Sequence, residues 1–191
     1  MTEQTILSPL TRREVLEGMG VGLAALTVST ALGNFSPAEA RAQGVALAHF
    51  TPVQGRALEA LGEALLPGAR LAGIAHFIDD QLGRERPLLI LKYLDYEGSY
   101  GDFYRQGLAA LDRLSLAQNK KSFVDSSAAQ KMGTLKSISS VQPKEWGSGP
   151  PAPLFFYATR MDAVDVFYGT QSGFKRLEIP YLPHIVPPRD W

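Results

Sequence analysis

The sequence predicts a mainly α protein, a small irregular helical bundle ending in an extended, proline-rich tail. Three observations carry that expectation. Between residues 52 and 168, leucine and aromatic side chains recur three and four apart, the period of a helix face. Helix punctuation frames these runs: Thr51-Pro52, Ser127 and Pro153 ahead of them, Pro67-Gly68 and Gly83 behind. From Gly169 on, the period vanishes while Pro180, Pro183, Pro187 and Pro188 accumulate, which helix interiors and central strands both exclude.

At the amino terminus, Thr11-Arg12-Arg13-Glu14-Val15-Leu16-Glu17 resembles a twin-arginine (Tat) export signal, with Arg12, Arg13 and Leu16 at its spacing. Val15 stands where Phe is usual and Glu17 where Lys is frequent. The run Val21–Leu32 has the length of a signal-peptide core, about 7–15 residues, and is too short for a bilayer span of roughly 20. Gly22, Thr27, Ser29 and Thr30 dilute it, as is usual in twin-arginine signals. Ala40-x-Ala42 offers a small-residue cleavage site, with Ala38-x-Ala40 beside it. Residues 1–42 are therefore expected to be a signal peptide and residues 43–191 the helical domain, with 169–191 as its tail. An ordinary secretory signal and an uncleaved anchor are the alternatives. The twin-arginine route moves folded chains, typically ones that gain a cofactor in the cytoplasm.

Removal of residues 1–42 leaves 149, enough for one domain burying about 68–70% of its unfolded surface. Nineteen basic residues balance nineteen acidic ones, and the remaining domain would carry +1. Such neutrality argues against nucleic-acid binding, which calls for a basic stripe. The chain has no cysteine, which excludes iron–sulfur ligation, thiolate zinc and covalent c-type haem attachment. His49, His76 and His184 are scattered. No Gly-x-Gly-x-x-Gly loop follows a strand-like run, and neither a phosphate-binding loop nor a nucleophile elbow appears. No catalytic, cofactor-binding or metal residue is assigned, and the chain is not expected to perform redox chemistry by itself.

The helices follow in order. Thr51-Pro52 caps a helix carrying Leu58, Leu61 and Leu65, stopped by Leu66-Pro67-Gly68. A second spans about Ala72 to Leu82, with Ile74, Phe77, Ile78 and Leu82 buried and Gly83 closing it. His76, Asp79 and Asp80 fall on or beside its polar face; a metal site is conceivable there, a solvated face the expectation. Pro87 opens a short helix through Leu94. Tyr100, Phe103, Tyr104, Leu108, Leu111 and Leu114 then form one continuous stripe, read as core, and Gly107 on the same side allows close helix approach. Ser115-x-x-Gln118 and Ser127-x-x-Gln130 read as capping boxes for two further helices.

Residues 139–153 form a Pro- and Gly-rich surface loop in which Trp146 either anchors a partner or packs back. A last helix runs from Pro153 to Tyr168. It is apolar nearly all round and should be central or covered by a partner, which makes Phe155, Phe156 and Tyr168 interface candidates. Asp162 and Asp165 share a face; an ion-pair network with Arg160 is favoured over acid–base work. The apolar tail, with Tyr181 and Trp191, wraps its own bundle or lies across another protein.

Leu65-Leu66-Pro67-Gly68, residues 72–82, Tyr104–Asp112 and the Phe155–Tyr168 helix running into Gly169 together resemble the small (third) subunit family of gluconate 2-dehydrogenase. The resemblance covers most of the chain past residue 42; residues 139–153 and the proline-rich end depart from it. It implies a non-catalytic subunit accompanying a large FAD-dependent (GMC-type) flavoprotein that oxidises sugars, sugar acids or polyols. A multi-haem cytochrome c subunit often completes such complexes. Such large subunits commonly lack an export signal, so the resemblance implies that this chain carries its FAD-loaded partner through the Tat translocase to the periplasm. There the complex would associate with the inner membrane through partner subunits. A stand-alone periplasmic enzyme using Asp162, Asp165 or a histidine, and a free-standing binding or scaffold protein, are the alternatives.

Overall fold

The structure, a computed structural model, describes residues 28–30 and 33–178. Two three-residue strands, β1 (Val28–Thr30) and β2 (Gly33–Phe35), pair antiparallel with Val28 opposite Phe35. Eight α-helices follow among the described residues: α1 (Pro37–Ala42), α2 (Pro52–Leu65), α3 (Ile74–Leu82), α4 (Ile90–Tyr93), α5 (Tyr100–Asn119), α6 (Ala128–Ile138), α7 (Ala152–Tyr168) and α8 (Gln171–Arg176). A 3-10 turn, η1 (Lys144–Trp146), lies between α6 and α7. The expectation of a mainly α bundle holds.

The apolar stripes explain the packing. Leu58 and Leu61 of α2, Ile74, Phe77 and Ile78 of α3, and Phe103, Leu108, Leu111 and Leu114 of α5 all lie in one buried core. Helix α7 is its hub: it packs against α2, α3, α4, α5, α6 and α8, and only Tyr157 and Arg160 along it are exposed. That satisfies a helix apolar on nearly every side without calling on a partner. Gly107 permits the α5–α7 crossing, because a Cβ there would collide with the ring of Phe155.

Two of the expected caps form as read. Thr51 and Ser127 each accept from the amide three residues on, while Gln54 and Gln130 reach back to the cap amides at 2.9 Å. The box expected at Ser115 does not form. Neither glycine nor proline interrupts the chain between Leu108 and Asn119, and burial of Leu111 and Leu114 carries α5 straight through. Ser115 is buried mid-helix with its hydroxyl 3.0 Å from that of Ser126. Phe123 consequently sits in the α5–α6 connection, buried but not helical, with Val124 beside it.

Two further expectations are corrected. Pro87 does not open a helix: Leu89 is extended, Leu88 N–H donates to Gln81 Oε1 at 2.7 Å, and only the single turn α4 forms. The Pro153 helix starts at Ala152 and is not the last, because Thr170 caps α8 within the stretch expected to be extended. The proline-rich end from residue 179 onward lies outside the described residues, as does most of the export signal.

Candidate functional site

The polar face of α3 is not solvated. Asp79 is 6% exposed, and its carboxylate accepts from three consecutive amides thirty residues upstream: Ala48 at 2.7 Å, His49 at 2.8 Å and Phe50 at 3.1 Å. These amides open the approach to α2, where the backbone has no helical partner of its own. His76 lies 2.9 Å from the carbonyl of Val45, an acceptor, so Nε2 carries the proton; its buried Nδ1 has no partner. Asp80 turns away to pair with Arg84 at 2.6 Å. The three residues therefore do not converge, and among the described residues no three His, Asp or Glu side chains gather as a metal site would require. His76 and Asp79 instead seam residues 45–50 to α3.

The second polar group lies inside the core. Asp162 on α7 and Tyr104 on α5 are both fully buried, and the tyrosine hydroxyl donates to Asp162 Oδ2 at 2.6 Å. Ile90 N–H, at the start of α4, donates to the other oxygen at 3.5 Å. Burial pushes the Asp162 carboxyl up to about 7, the Tyr104 and Ile90 donors opposing the shift and nearby Asp165 adding to it. Burial also raises the Tyr104 hydroxyl well above its usual value, with the Asp162 charge acting in the same direction. Asp165, half-buried, is raised by desolvation. Asp162 thus ties α7 to α5 and α4, where an ion pair with Arg160 was expected; Arg160 is exposed, and no such pair forms among the described residues. A carboxyl sealed at 0% exposure meets no substrate, which removes the geometric basis for acid–base work at this position.

A shallow cleft of about 330 Å³ opens between the α3–α4 connection and the start of α5, lined by His49, Gln81, Arg84, Ser99, Tyr100 and Arg105 among others. Its cations are already engaged. Arg84 pairs with Asp80, and Arg105 pairs with Asp102 at 2.8 Å and donates to His49 O at 3.4 Å. Sequence reasoning missed the cleft because its walls come from three separated segments, none with a motif.

The residues proposed for a partner interface divide. Trp146 and Phe155 are fully buried, their rings 5.6 Å apart, and the indole N–H donates to Pro150 O at 2.8 Å. Of the two roles open to Trp146 the structure takes the inward one, and Arg113 pins the loop by donating to the carbonyls of Trp146 and Ser148. Phe155 is likewise withdrawn from any surface. Phe156 and Tyr168 are half-buried. Tyr181 and Trp191 lie outside the described residues, as do Arg12, Arg13 and Leu16. Ala40 is buried within α1 and Ala42 exposed at its end. Exposed apolar surface that the sequence reading did not single out includes Tyr93 and Leu94 at α4 and Tyr157 on α7, two helices that pack together. Among the described residues no helix is long and apolar enough to cross a membrane.

Fold and polar groups together define a small, mainly α domain whose buried carboxylates serve its own backbone and core. The chain belongs to the gluconate 2-dehydrogenase subunit 3 family, whose model matches residues 52–187. It is accordingly a small subunit of a multi-subunit dehydrogenase of the gluconate 2-dehydrogenase kind. Comparison with curated proteins and with solved structures gives no match.

Proposed function

We propose that this chain is the non-catalytic small subunit of a periplasmic FAD-dependent dehydrogenase of sugars, sugar acids or polyols. It binds the flavoprotein large subunit and carries it, already folded, through the twin-arginine translocase. One observation supports this reading above the rest: a domain of the subunit 3 family over residues 52–187 lies directly behind Arg12-Arg13 and a weak apolar run. The buried placement of Asp79 and Asp162 favours it over a stand-alone enzyme, since neither carboxylate reaches a surface where a substrate would sit. Flavin is assigned to the partner because no Gly-x-Gly-x-x-Gly loop follows a strand-like run in this sequence. A multi-haem cytochrome c subunit would complete electron transfer to the membrane.

The test is a double substitution, Arg12→Lys with Arg13→Lys, in cells expressing both subunits. Large subunit and dehydrogenase activity are expected to stay in the cytoplasm, while the two chains still co-purify from the cell lysate. Unchanged periplasmic activity in the double variant overturns the carrier role. Separate elution of the two wild-type chains overturns the subunit pairing.

A further inference from the structure

The domain does not begin where the cleavage signal would end it. Residues 36–50 are built into the fold by several independent contacts. Ser36 and Glu39 form a complete capping box that starts α1. Pro37 and Ala40 are buried, and the backbone of Pro37 and Ala38 lies so close to Gly73 that any Cβ at Gly73 would collide with it. Gly73 has φ +85°, so the tight approach and the left-handed turn before α3 require the same residue. Arg41 reaches α2 and pairs with Glu59 at 2.8 Å, both side chains about three-quarters buried. Downstream, Leu47 packs over Gly55, His76 holds Val45, and Asp79 holds residues 48–50.

Both small-residue sites, Ala38-x-Ala40 and Ala40-x-Ala42, therefore lie inside a docked helix. A peptidase must draw several residues around the scissile bond into an extended conformation, and here that means undocking α1 as a unit. A twin-arginine substrate arrives at the outer face already folded, so the site would meet the peptidase in this docked form.

We propose that these two sites are latent: the exported chain is not cut after Ala40 or Ala42, and the working protein keeps everything from Ser36 onward. Any removal of the export signal then takes place upstream of Ser36. The proposal rests on the export reading for its biological setting, while the protection of residues 36–42 is a property of the folded chain in any compartment.

Two measurements test it. The first is the amino-terminal residue and intact mass of the chain recovered from the periplasm. An amino terminus at or before Ser36 is expected; one anywhere beyond Ser36, including Arg41 or Gln43, overturns the proposal. The second is elastase, which cuts after small residues, applied to the purified full chain. Wild type and Gly133→Ala, a control at a glycine with nothing within 4 Å of its would-be Cβ, should resist cutting at Ala40 and Ala42. Gly73→Ala, which pushes α1 away, should be cut there about tenfold faster. Equal cutting of wild type and Gly73→Ala at those bonds overturns the latency. If Gly73→Ala unfolds altogether, it serves as the fully cut reference: wild type resisting at Ala40 and Ala42 supports the latency, and wild type cut there as fast overturns it. A chain found only in the cytoplasm sinks the export reading, and the elastase comparison still decides the latency.

Discussion

Asp162→Asn gives the most direct access to the core. Wild-type Asp162 is sealed between α4, α5 and α7, with its carboxyl pushed up to about 7 by burial, against about 4 in an unfolded chain. Between those values the folded protein holds a proton that the unfolded chain has released. Stability must therefore fall as pH rises through that window. The contribution is fully present below about pH 4 and is lost by pH 7. The slope approaches about 1.4 kcal/mol per pH unit, and the whole window amounts to something on the order of 4 kcal/mol. Asp165 acts in the same direction from a less buried position. Asparagine is isosteric with the neutral acid and still offers a carbonyl oxygen to the Tyr104 hydroxyl, but it does not titrate. Urea unfolding followed by circular dichroism at half-unit steps from pH 4.5 to 8 should show wild type losing more stability with rising pH than Asp162→Asn, which keeps the smaller slope left by Asp165 and the other groups. Every other titrating group is common to both proteins, so the difference isolates this position. Parallel curves would refute the argument, because they would mean that Asp162 is already ionised in the folded core at pH 5.

Other substitutions probe separate joints. Gly107→Ala gains up to about 1 kcal/mol of helix propensity but drives a methyl into the Phe155 ring; a net loss of about 1–3 kcal/mol is expected, read as a lowered Tm. A variant as stable as wild type would show that α5 and α7 slide apart freely. Asp79→Ala leaves the amides of residues 48–50 without their acceptor and should cost about 3 kcal/mol in denaturant unfolding, with faster hydrogen exchange confined to those amides. Unchanged exchange at residues 48–50 would mean that water replaces the carboxylate at no cost. Tyr104→Phe removes the donor to Asp162 and should cost about 1–3 kcal/mol at pH 8, where the carboxylate is charged, and less at pH 5. A loss of equal size at both pH values would contradict the titration assigned to this pair.

What the sequence disclosed was the periodic part of the structure. The stripe from Tyr100 to Leu114, the Thr51 and Ser127 caps, the stop at Pro67-Gly68 and the close approach at Gly107 are all local or face-wise signals, and all appear in the fold. Polar groups that bond across the chain have no such signal. Asp79 looks like any exposed helix acid until the backbone of residues 48–50 is brought to it. Ser115 satisfies a capping pattern that the burial of its neighbours overrides. For Tyr104 a clue was available, since a tyrosine in a buried stripe needs a partner for its hydroxyl. A carboxylate on the otherwise apolar helix α7 was a candidate for that role. The interface residues fared differently because aromatic character alone does not separate a surface anchor from a core side chain. Trp146 is the case in point, its loop folding back to bury it.

The hub position of α7 sets a schedule for the nascent chain. Helices α2 to α6 all lean on a segment that the ribosome makes after every one of them, so none has its full set of neighbours until about Tyr168 has emerged. At roughly 5–20 residues per second, Arg12-Arg13 would be out for something like 8–30 s before the core can close. A leader that threaded its cargo at once would catch this polypeptide half-made. One that waits for a finished body is matched to the order in which its parts arrive.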